Sequence, residues 1–149
     1  MKTNITARAS IIIDTYPLKI WEALTIPRII KKYFFGTDVI SDWKVGRPII
    51  FRGEWEEKKY EDKGTIIAIV PNKLLKYNYW SSMSGIEDKP ENYVLITYEL
   101  HANNSNETTL TITQDNVPDE KIREHSEQNW MKVLTDLKAL LEEEVVNSL

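Results

Sequence analysis

The chain has 149 residues, 42% hydrophobic and 28% charged, the proportions of an ordinary soluble globular protein large enough for a core of its own. Its 23 acidic and 19 basic residues leave a net charge of −4, which disfavours non-specific nucleic-acid binding. The lack of cysteine excludes disulfides, thiol chemistry and zinc–thiolate sites.

No apolar run approaches the ~20 residues that cross a bilayer, and the opening MKTNITARAS lacks a signal peptide's apolar stretch, so a cytoplasmic protein is expected. The first predicted element is a strand over Ile5–Ile13, where β-branched residues alternate. Asp14 or Thr15 is expected to cap a helix with Pro17 in its first turn and Leu18, Trp21 and Leu24 at helical spacing, Ile20 beside them. Pro27 then opens a second short helix carrying Ile29, Ile30, Tyr33 and Phe34 towards Gly36.

From there to Asp115 the signals are those of a sheet. DVISDW reads as a short strand and Lys44-Val45-Gly46 as a turn. RPIIFRGEW leads into a charged hairpin, EEKKYEDKG, and GTIIAIVP and KLLKYNYW are joined at Pro71-Asn72. After a polar loop over residues 82–92, YVLITYELHA and TTLTITQDN flank a hairpin loop at Asn103–Asn106. One long helix, about Asp119 to Val146, closes the chain, with Ile122, Trp130, Val133, Leu134, Leu137, Leu140 and Leu141 as its apolar stripe. This order predicts one α+β domain over residues 1–149: a curved antiparallel sheet of about six to seven strands gripping a long C-terminal helix, with two short helices after the first strand.

Several motifs, in order, carry a resemblance. They are Pro17, Ile20-Trp21-Glu22-Ala23-Leu24-Thr25, Pro27 and Tyr33-Phe34; Asp42 with Gly46-Arg47; Gly64-Thr65-Ile66, Pro71 and Leu74 or Leu75; Thr108-Thr109-Leu110-Thr111-Ile112; and Trp130, Leu134 and Leu137. The chain resembles the homologues of the activator of the ninety-kilodalton heat-shock protein ATPase, in the START-like, birch-pollen-allergen-like (SRPBCC) superfamily. Arg47 stands where that pattern has a second glycine, Asn129 where it has a glycine before the tryptophan, and Ile26 where an acidic residue is common, leaving Thr25 to cap the second helix. The resemblance implies a helix-grip fold with a cavity between the concave sheet face and the long helix.

Strand parity suggests the walls of that cavity. Lys76 and Asn78 towards water send Leu75, Tyr77 and Tyr79 inward. Arg52 and Glu54 outward send Ile49, Phe51 and Trp55 inward, and the outward threonines of TTLTITQ send Leu110, Ile112 and Gln114 inward. Residues 66–70 and 93–96 are apolar at both parities and give no facing. On the long helix Ser126 and Asn129, three apart, precede Trp130. With Tyr33, Phe34 and Phe35 at the end of a lid hinged at Pro27, the expected ligand-binding set is Tyr33, Phe34, Phe51, Trp55, Tyr77, Tyr79, Gln114, Ser126, Asn129 and Trp130. Two separate histidines, His101 and His125, and no acidic cluster of ligand spacing give no metal site, and no cofactor is expected. Glu142-Glu143-Glu144 reads as a solvated tail.

Three functions compete. The favoured one is binding of a hydrophobic or aromatic small molecule, by a monomer or homodimer. The second is a polyketide cyclase or aromatase, an activity the superfamily includes, with Arg47, Tyr77, Tyr79 and Asn129 orienting a polyketone. The third is the chaperone-activator module and stress-response role implied by the family. The chain opens at the first strand without the separate chaperone-engaging domain of two-domain members, so no such association is expected.

Overall fold

The structure is a computed structural model that describes residues 2–147, with side chains as far as Glu143. The elements are β1 (Ala7–Ile13), α1 (Pro17–Thr25), α2 (Pro27–Tyr33), β2 (Asp38–Ser41), β3 (Pro48–Trp55), β4 (Lys58–Val70), β5 (Leu74–Tyr79), β6 (Val94–Asn104), β7 (Glu107–Asp115) and α3 (Glu120–Asn147). A single 3-10 turn, Pro90–Asn92, interrupts the loop before β6. The seven strands form one antiparallel sheet in the order β1-β7-β6-β5-β4-β3-β2. This is the expected α+β helix-grip architecture.

The register builds the concave face from inward positions of adjacent strands. Ala7, Gln114, Ile96, Tyr77 and Ile66 form one row, and Ala9, Ile112, Tyr98 and Leu75 the next. The stripe Trp130, Val133, Leu134, Leu137 and Leu141 of α3 packs over these rows. Ile122 lies outside that stripe, 37% exposed, because the first turns of α3 stand away from the sheet. In α1 the buried set is Ile20, Trp21, Ala23 and Leu24; at roughly 100° per residue this leaves Leu18 on the outer side, where it is exposed.

The expected caps are corrected. Asp14 donates its backbone N–H to Glu142, Thr15 accepts from the Thr108 hydroxyl, and the N-cap position of α1 falls to Tyr16 with no side-chain bond. The Thr25 hydroxyl turns back to Trp21 O, 2.8 Å away, instead of capping α2. Ile26, held extended by the following proline, both ends α1 and starts α2. By contrast, Asp119 caps α3 through the Ile122 N–H at 2.8 Å.

The charged hairpin is also shorter than expected. Glu56 and Glu57, both at positive φ, form the whole turn, and Lys58–Lys63 belong to β4. The acidic run 142–144 begins as an anchor, not a tail. Glu142 accepts from Asp14 and from Lys138, which also donates to Ile12 O, while Glu127 accepts from Arg8 N–H. Side chains of α3 thus satisfy backbone groups along the free edge of β1 and close it to pairing. Glu143 is exposed, and the side chain of Glu144 lies outside the described residues.

Candidate functional site: an aromatic cavity under the first turns of α3

No residue from Glu120 to Asn129 is buried, although α3 lies over the sheet. The space beneath that stretch is a cavity of about 650 Å³, bounded by β3, β4, β5, the end of α2 and the loop after β5. Phe34, Phe51, Trp55, Tyr77, Tyr79, Gln114, Ser126, Asn129 and Trp130 all line it. Tyr33 does not: it turns into the core and its hydroxyl donates to Ala23 O at 2.7 Å. Arg47 is absent from the lining as well and pairs with Asp42 at the surface, which takes it out of the cyclase set. Trp55 keeps its inward parity but sits at the rim, 57% exposed, because β3 runs past the cover of α3. His101 is exposed on β6, and His125 is exposed at the cavity edge.

The aromatic wall is continuous. Phe34 stacks on Phe51 (centroids 6.1 Å, planes at 29°) and meets Trp130 at 6.0 Å. Phe51 touches Tyr77 and Tyr79 at 5.7 and 5.4 Å, and Tyr98 meets Tyr77 at 5.9 Å. Such offset and edge contacts fix rings without filling the space between them.

Buried hydroxyls and amides in this wall find protein partners. Trp130 Nε1 donates to Gln114 Oε1 at 2.8 Å, the Tyr77 and Tyr98 hydroxyls share a 3.1 Å bond, and the Thr37 and Tyr60 hydroxyls a 2.6 Å bond. The Tyr79 hydroxyl donates to Asp62 Oδ2, while Oδ1 accepts from the Ser82 N–H at 2.9 Å and its hydroxyl at 3.3 Å. Burial holds the phenols of Tyr33, Tyr77, Tyr79 and Tyr98 above the usual tyrosine range; neighbouring Tyr98 adds to this for Tyr33 and Tyr77, and the Asp62 charge for Tyr79. These groups therefore act as neutral donors at ordinary pH.

Phe35, expected beside Phe34 at the entrance, lines the cavity; Asp62, Tyr60 and Thr37 were not expected at the site, nor were Met83, Ile96 and Val133. The signal for two of them lies in β4, where Tyr60, Asp62, Gly64 and Ile66 alternate on the inner face. Reading Lys58–Lys63 as hairpin loop concealed that alternation. Gly53 makes room for Tyr60, since a Cβ there would lie 2.3 Å from the Tyr60 hydroxyl. Among the described residues, no cluster of three acidic or histidine side chains is placed to hold a metal ion. Nor is any helix there long and apolar enough to cross a membrane.

The sequence matches the family described as Activator of Hsp90 ATPase homolog 1-like protein over residues 14–142. The chain belongs to that family. A solution structure of a Cytophaga hutchinsonii protein is 43% identical with a TM-score of 0.83, covering 98% of this chain and 99% of that one. The Aha1 dimer from Colwellia psychrerythraea is 21% identical (TM-score 0.73; 93% and 96% covered). An Hsp90 activator from Plasmodium falciparum is 16% identical (TM-score 0.75; 93% and 97% covered). The last two likenesses carry the fold alone. A search of curated proteins found no match.

Proposed function

We propose that this family member is a one-domain, cytoplasmic binding protein for a hydrophobic or aromatic small molecule, held between the concave sheet face and α3. The observation that carries the reading is the aromatic cavity, whose ~650 Å³ falls within the ~300–1,000 Å³ typical of small-molecule sites. Thr37, Tyr60, Tyr77, Tyr79 and Gln114 in its wall already hydrogen-bond to protein partners, which leaves apolar burial and ring contacts as a large part of what an occupant gains there. Native mass spectrometry of freshly purified protein tests this. A copurifying small molecule, or saturable uptake of an added apolar one, supports it; a chain that takes up neither is not a carrier.

A cyclase-type activity is the second reading, favoured by one observation: the Tyr79–Asp62 hydrogen bond puts a phenol beside a carboxylate inside the cavity. Turnover of a poly-β-keto substrate, lost in Tyr79→Phe, separates catalysis from carriage. Chaperone engagement draws on the family description and the Plasmodium activator. A pull-down with the chaperone tests it, and we expect no association. The dimer from Colwellia makes a homodimer as admissible as a monomer, and sedimentation decides between them.

A further inference from the structure

Among the described residues, Asp62 is the only carboxylate in the cavity lining, and it is 7% exposed. It arrives there by parity, since β4 alternates Tyr60, Asp62, Gly64 and Ile66 on the inner face, and Phe51 is its cross-strand partner on β3. All its hydrogen bonds come from neutral donors, the Tyr79 hydroxyl and the N–H and hydroxyl of Ser82. Among the described residues no lysine, arginine or histidine pairs with it. A buried carboxylate normally has a cation beside it, because neutral dipoles offset only part of the lost hydration. Here the space where a cation would stand is the cavity itself.

The surfaces around that space also favour a cation. Phe51 and Tyr79 stand with centroids 5.4 Å apart in an edge arrangement, and the negative π face of a ring attracts positive charge. Asp62 Oδ2, which accepts only from Tyr79, keeps a lone pair for one more donor. The −4 net charge of the chain adds attraction of the same sign at long range.

We propose that the cavity selects molecules carrying a protonated amine on a hydrophobic or aromatic body, with Asp62 as counter-charge and the rings of Phe51 and Tyr79 beside the ammonium group. This rests on the cavity being a ligand site and adds which ligands it takes. An aromatic carboxylate of the same size is disfavoured, since its charge would face Asp62 at short range.

Three probes on one skeleton test the inference: 2-naphthylmethylamine (protonated at pH 7), 2-naphthalenemethanol and 2-naphthoate, each titrated calorimetrically into the whole protein. The expected order is ammonium, alcohol, carboxylate, with the ammonium about tenfold tighter than the alcohol, the scale of one charge-assisted hydrogen bond. In Asp62→Asn the ammonium-to-alcohol ratio should fall to about one. If that variant does not fold, Tyr79→Phe replaces it: Oδ2 loses its protein donor, and the ratio should stay at or above the parent's. An alcohol that binds the parent as tightly as the ammonium overturns the inference while leaving the cavity reading intact. A ratio that survives Asp62→Asn, or collapses in Tyr79→Phe, removes Asp62 as the counter-charge. Binding of none of the three overturns the cavity reading and this inference together.

Discussion

The Tyr33 hydroxyl donates to the carbonyl oxygen of Ala23 at 2.7 Å, across the proline that separates α1 from α2. In an unbroken helix Ala23 O would accept from the N–H four residues on, but that residue is Pro27, which has none. Tyr33 supplies the missing donor from one helix to the other. The break is thus strapped, which explains why Tyr33 faces the core and leaves Phe34 and Phe35 to the cavity.

Tyr33→Phe should cost about 1–3 kcal/mol, the range for a buried polar group left without its partner. It should also speed hydrogen exchange over residues 26–35 relative to the strands. A variant with the parent's melt and exchange would show that the strap carries no stability.

Trp21 and Trp130 are 9% and 8% exposed, one under the short helices and one on α3. Alanine at either should cost roughly 3–5 kcal/mol, as for other large core truncations. Trp130→Ala should in addition enlarge the cavity and release Gln114, so it should weaken binding of an apolar probe more than Trp21→Ala does. Equal effects of the two on binding would detach Trp130 from the site.

The buried phenols of Tyr33, Tyr77 and Tyr98 and the half-buried one of Tyr79 have pKa values raised by the loss of water around them, so the folded state favours their protonated form. The stability this carries is complete below the ~10 of an unfolded tyrosine and is lost as pH rises beyond it. The melting temperature should therefore fall steeply above pH ~10. A Tyr77→Phe, Tyr98→Phe double variant should fall less steeply, and an identical slope would refute the assignment.

Most of the fold was legible because its signals are local and redundant. Pro17, Pro27, Pro71-Asn72 and Asp119 punctuate the chain, and alternation in β3, β5 and β7 orients each strand without knowledge of its neighbours. The misreadings came where a local rule met a tertiary one. Glu56-Glu57 closes a two-residue turn with no glycine or asparagine, so the charged stretch after it did not read as strand, and Asp62 stayed hidden. Tyr33 looked like a lid aromatic because only the folded pair of helices shows that Ala23 lacks a donor. Gly64 marks a contact no sequence pattern announces: a Cβ there would lie 1.7 Å from Asn78 O, where β4 and β5 approach beside a register shift.

The proposed function requires that the space under α3 admit a ligand in the native protein. Titration of the native protein with the uncharged fluorophore N-phenyl-1-naphthylamine, in parallel with a Ser126→Trp variant that puts an indole into that space, tests it most directly. Saturable enhancement with about one site per chain is expected, lost in a variant that still melts cooperatively. Enhancement that appears only on unfolding, or that Ser126→Trp leaves unchanged, would contradict it.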